Sequence, residues 1–98
     1  MALIRVSEAA GALPQAWTST VLARFGDANL KVLRMDASAY PDERHDYPEG
    51  LLVLDGQMLL RIGGEVIRVG PGELYVVPAG MPHAVAAGSH GTLVILDA

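Results

Sequence analysis

Cysteine is absent from this sequence. That excludes disulfides and every thiolate metal site. It also fits a reducing compartment, and a cytoplasmic location is expected. No apolar run approaches the ~20 residues that cross a bilayer as a helix. The N-terminal stretch MALIRVSEAAGALP lacks a basic start followed by a long apolar segment, so no secretory leader is expected. Basic residues are few: the seven Lys and Arg stand at 5, 24, 31, 34, 44, 61 and 68. A nucleic-acid surface needs them gathered in one patch, and here they are scattered. The formal net charge is -4. The partners expected are therefore a small molecule and another protein chain, with neither nucleic acid nor membrane. Low-complexity tracts, sustained helical periodicity and repeats longer than a hairpin are missing too.

What is present is apolar. Hydrophobic residues make up 51% of the 98 residues, enough for one domain, residues 1–98, with a true core. A domain of this size buries a modest fraction of its surface, so its stability margin is thin. Pairing of two copies as a homodimer is expected.

Short apolar runs alternate with turn residues, as in an all-β sandwich or barrel. Runs 18–25 and 30–35 flank Gly26-Asp27-Ala28-Asn29, which reads as a hairpin loop. Runs 50–54 and 57–62 flank Asp55-Gly56, a strong hairpin signal because such a turn needs positive φ at both central positions. Further strands are expected at 65–69, 73–77, 83–87 and 92–96, about nine in all. Residues 3–6 are a candidate strand for exchange between two copies. Residues 7–17 have room for one helical turn, with Ser7 as N-cap, Glu8 in the first turn and Pro14 ending it.

Strand alternation then sorts the faces. Leu51 and Val53 share a face with Glu49, and Val85 and Ala87 share one with His83. Each polar residue heads an apolar face that should point inward. A charge there is costly unless it is paired or holds a metal. The opposite face carries Leu52 and Leu54, which need cover from a second sheet or a second subunit. Taken residue by residue, 41–46 reads first as a solvated loop in which Arg44 offsets the acids. His83 alone reads as a strand-end His bonded to a carbonyl, and His90 as a surface turn residue. Trp17, Phe25 and Tyr40 suit a core or an interface. Tyr47, Tyr75, Met35, Met58 and Met81 suit packing. Gly56, Gly72 and Gly80 suit tight turns.

The stretches ERHDYPEGLLVLDG (43–56) and GELYVVPAGMPH (72–83) together resemble the two motifs of the cupin superfamily. The first family motif is G(X)5HXH(X)3-4E(X)6G. His45, Glu49 and Gly56 fall on its second half. The second is G(X)5PXG(X)2H(X)3N, and Gly72, Pro78, Gly80 and His83 fall on all of it but the last position. The departures are Ala37 for the opening Gly, Glu43 for the first His and Ala87 for the closing Asn. The resemblance implies a single all-β jelly-roll barrel. N-terminal strands would occupy 1–36, the motif region 37–87 and a final strand 88–98. It also implies a mononuclear divalent metal on His45, Glu49, His83 and Glu43, with Glu43 a carboxylate in place of an imidazole. Two imidazoles with one or two carboxylates suit iron, manganese, zinc, nickel or copper and leave positions open.

Three functions follow from that likeness. One is a metal-dependent enzyme of dioxygenase or isomerase type acting on a small, partly apolar molecule; no catalytic base stands outside the ligand set unless Glu43 is free for it. Another is a non-catalytic module that binds or senses a small ligand, with or without metal. The third is an assembly role with a relic site. One barrel hosts many chemistries, so the fold does not choose among them.

Overall fold

The computed structural model describes residues 2–98. One short helix, α1 (Val6–Gly11), is followed by eight strands. These are β1 (Thr20–Phe25), β2 (Ala28–Asp36), β3 (Tyr40–Glu43), β4 (Glu49–Ile62), β5 (Glu65–Val69), β6 (Leu74–Val77), β7 (His83–Val85) and β8 (His90–Asp97). They form one curled sheet in the order β1-β2-β8-β4-β7-β3, with β5 and β6 also paired to β4. All pairings are antiparallel. The all-β class and the hairpin at 26–29 are as expected.

Strand β4 departs from expectation. Asp55-Gly56 is no hairpin: the chain runs straight through it as one strand of 14 residues. A two-residue turn of that kind needs positive φ at both residues, and only Gly56 has it, at +78°. The pair instead makes a bulge, and the register with β8 shifts between Val53 and Asp55. The consequence shows in burial. Leu51 and Val53 are buried before the bulge, whereas Met58, Leu60 and Ile62 are buried after it, so the inward phase moves from odd to even numbers. The first half of β4 pairs with β6 and β8, and the second half with β5 and β7. The bulge is where one strand serves both walls of the barrel. Gly91 faces it with φ +99°, and a Cβ on either glycine would fall onto the other strand's backbone.

Two apolar clusters hold the fold. The interior holds Leu33, Met35, Leu51, Val53, Met58 and Leu60 among others. A second cluster lies on the outer face, where Ala10, Val32 and Val94 pack with Val6, Ala9, Leu22, Leu30 and Leu52. Helix α1 therefore supplies the cover that Leu52 needs. A helix of six residues is unstable alone and persists because it is docked. Leu54 remains exposed.

Other expectations are corrected here. Residues 3–6 form no strand; Leu3 and Ile4 are exposed and Val6 opens the helix. Arg5, not Ser7, is the N-cap, and the Ser7 hydroxyl reaches the Asp55 carboxylate at 3.4 Å. The helix ends at Gly11, before Pro14. His90 is exposed but opens β8 instead of sitting in the turn. Phe25 and Met81 are exposed, whereas Met35 and Met58 are core.

Candidate metal centre

Three strand ends and one loop converge at one end of the barrel. Glu43 closes β3, Glu49 opens β4 and His83 opens β7. Pairing of β3 with β7 sets Glu43 opposite His83. The segment expected as a solvated loop is thus a strand through Glu43, and His45 follows two residues later. The Gly80 amide donates to the His45 carbonyl at 2.6 Å, and the Met81 amide donates to the Pro78 carbonyl at 3.2 Å. The first bond ties the His45 loop to the Pro78–Gly80 turn that delivers His83, and the second closes that turn.

The donor atoms of Glu43, His45, Glu49 and His83 all lie within 4.8 Å of one another. His83 Nε2 is 3.1 Å from Glu49 Oε1, and His45 Nε2 is 3.6 Å from both Glu43 Oε2 and Glu49 Oε2. Glu49 and His83 are each 5% exposed, so a carboxylate is held here almost without water. Such burial is unfavourable unless positive charge lies beside it.

The imidazoles show where that charge belongs. His83 Nδ1 is 3.0 Å from the Met81 carbonyl oxygen. A carbonyl only accepts, so Nδ1 carries the proton and donates it. Nε2 is thereby aimed at Glu49 Oε1, 3.1 Å away, where either a proton on the ring or a metal ion held by both atoms satisfies the contact. His45 repeats the pattern. Its Nε2 is buried with no hydrogen-bond partner among the described residues, while its Nδ1 lies 3.4 Å from the Tyr47 hydroxyl and its ring stacks on Tyr47 at 5.1 Å. When Nδ1 donates to that hydroxyl, Nε2 is left bare.

The residues fit a metal ion. Ligand atoms at ~2.0–2.2 Å from one ion stand at most ~4.4 Å apart. Closing the widest pair takes a shift of a few tenths of an ångström. Nitrogen and carboxylate donors together suit borderline divalent metals.

Next to the cluster is a cavity of about 140 Å³. Leu33, Leu51, Met58, Val85, Leu93 and Ile95 form its apolar wall. Trp17 and Tyr40, stacked at 5.5 Å, and Tyr47 border it. The charge of Glu43 is the main cause that raises Tyr40 above the usual phenol range. Burial does so for Tyr47, with a further contribution from Asp97. Both phenols therefore stay protonated at neutral pH.

The wall also holds two residues that sequence reasoning missed, Lys31 and Asp97. The signal was present: Lys31 alternates with Leu33 and Met35, and Asp97 with Leu93 and Ile95. Following each strand's parity to its end would have placed both charges inside.

Comparison with known proteins settles the family. A family model described as "Cupin domain" matches residues 32–98. The chain is a cupin. The fold of this cupin is shared by a cupin-2 domain containing protein from Shewanella frigidimarina NCIMB 400, with TM-score 0.88 and 23% identity over 97% of this chain and 93% of that one. The DMSP lyase DddQ from Ruegeria pomeroyi DSS-3 superposes with TM-score 0.70 and 25% identity, over 81% of this chain and 45% of that one. In sequence, this cupin is 40% identical over 58 residues to a quercetin 2,3-dioxygenase of Bacillus subtilis (strain 168). The matched stretch is 58% of this chain and spans 17% of that protein's length.

Proposed function

We infer that this cupin binds one divalent transition metal through His45, Glu49, His83 and Glu43. It would use that metal in dioxygenase- or isomerase-type chemistry on a small, partly apolar molecule. One observation carries the reading: two imidazole nitrogens and buried carboxylate oxygens converge beside an apolar cavity, and among the described residues His45 Nε2 has no hydrogen-bond partner. The metal, when bound, supplies Lewis acidity toward a substrate oxygen. The chain's own residues supply the rest. Met81 and Tyr47 orient the two imidazoles. The apolar wall excludes water, and Tyr40 and Tyr47 offer protons at their hydroxyls. Likeness to a quercetin 2,3-dioxygenase favours the dioxygenase class. A cavity near 150 Å³ encloses about one benzene ring and this one is about 140 Å³, so one ring of a substrate fits inside it.

The test is metal content by plasma mass spectrometry on untagged protein, beside His83→Ala. One transition metal per chain, lost in the variant, supports the reading. No metal after incubation with iron, manganese, nickel and zinc overturns it. Metal without turnover on any small ring substrate leaves the ligand-sensing role.

A homodimer and a cytoplasmic location belong to the same proposal. Leu74, Val76 and Leu96 are exposed around a shallow groove on the outer face of β4, β6 and β8. An apolar face of that kind is suited to a second copy. Sedimentation of the wild type against Val76→Asp checks it, with a dimer expected in the first and a monomer in the second.

A further inference from the structure

The cavity wall carries a charged pair that the metal cluster does not use. Lys31 Nζ lies 2.7 Å from Asp97 Oδ2. The other Asp97 oxygen accepts from Asn29 Nδ2 at 3.1 Å, so both oxygens of this nearly buried carboxylate are occupied. Lys31 differs. An ammonium has three protons to donate, and Asp97 is its one acceptor among the described residues. Its side chain is 26% exposed and lines the cavity. The hydrogen bond to Asp97 raises its pKa above the ordinary value, so it is a permanent cation at neutral pH.

Stability accounts for one half of the pair: the nearly buried Asp97 needs a cation beside it, whereas Lys31 keeps 26% of its side chain exposed and has donors to spare. A cation with spare donors on the wall of a cavity suits an anionic ligand once a metal offsets the charges of Glu43 and Glu49, which line the same cavity.

We propose that Lys31 is the anion-binding residue of this cavity. It takes the carboxylate, enolate or phenolate oxygen of a ligand about the size of one ring, whose body lies on Leu33, Leu93 and Ile95. The proposal rests on the cavity's being the ligand site, as read above, and it names the substrate class. Asp97 then competes with the ligand for the ammonium. A charge-assisted hydrogen bond is roughly twice as strong as a neutral one, so an acid should be favoured over its amide.

The test titrates benzoate and benzamide into zinc-loaded and metal-free protein, by calorimetry and backbone-amide NMR. Zinc is redox-inert, so binding is read without turnover. Benzoate should bind the wild type about tenfold more tightly than benzamide, a difference of about 1.4 kcal/mol. Lys31→Met should lose about tenfold on benzoate, keep benzamide within twofold and retain its zinc. Asp97→Asn, which keeps the bond to Asn29 and removes the competing charge, should bind benzoate more tightly. An unchanged benzoate affinity in Lys31→Met overturns the proposal, as does a zinc-loaded wild type with no preference. If Lys31→Met does not fold, Asp97→Asn decides, and unchanged or weaker benzoate binding refutes the idea. Failure of the wild type to load zinc counts against the metal reading alone, because the loss of benzoate affinity in Lys31→Met relative to the wild type is read separately in the metal-free protein.

Discussion

Gly56→Ala is expected to cost far more stability than Gly72→Ala or Gly80→Ala, although the three glycines share a φ of +78°. The backbone cost of placing Ala there is common to all three. It is roughly 1–2 kcal/mol, offset by ~0.4–1 kcal/mol because Ala has less freedom to lose from the unfolded chain. Around Gly72 and Gly80 a new Cβ meets nothing within 4 Å. Those variants should each lose about 1 kcal/mol. At Gly56 the Cβ would stand 2.0 Å from the His90 carbonyl oxygen, where real Cβ atoms essentially never come within 3.0 Å. The obstacle is backbone, so relief requires β4 and β8 to part. A defect of that kind belongs with the severe cases, roughly 4 kcal/mol or more, in a domain whose whole stability is ~5–15 kcal/mol. Urea unfolding followed by Trp17 fluorescence and far-ultraviolet circular dichroism measures all three. A Gly56→Ala variant no less stable than Gly72→Ala would refute the bulge, and Asp55-Gly56 would be a free hairpin turn after all.

Other outcomes are expected. Ala37 holds a φ of +72°; Ala37→Gly should therefore stabilise the protein by roughly 0.5–1 kcal/mol, read as a higher urea midpoint. Hydrogen bonds from Ser38, then Trp17, hold Asp36 below its ordinary pKa of 3.8. A depressed carboxylate contributes stability above its unfolded value, and that contribution is lost as pH falls through the folded one. The melting temperature of Asp36→Asn should thus fall less steeply below pH 3.8 than that of the wild type. Zinc at a hundredfold excess over its Kd should stabilise the wild type by about 2.7 kcal/mol; Glu49→Gln should show little of this in a thermal melt at equal zinc.

Much of the site was legible because its residues lie close in sequence. His45 and Glu49 flank one loop, and Pro78, Gly80 and His83 share one turn. Spacing of that kind is local, and it carries over into space when the strands are short. Lys31 and Asp97 stand 66 positions apart and meet only because β2 pairs with β8. Each was visible as an odd-parity residue on its own strand, but nothing in either segment told that the two strands were neighbours. The Asp-Gly pair misled for a related reason. A local turn signal reports what two residues tolerate, and here long-range pairing, with β6 and β8 flanking the first half of β4 and β5 and β7 flanking the second, kept the strand extended through the glycine.

By itself the sequence determined the all-β class, the strand segments around the motif residues and the donor types available to a metal. These follow from period-two patterning and turn chemistry, which act over a few residues. The tertiary structure alone decided that β4 is one bulged strand, that α1 covers the outer face of Leu52, and that a lysine–aspartate pair shares a cavity with the His–Glu cluster. Those depend on which distant strands pair and in what register, and register is set by the burial of all the faces together.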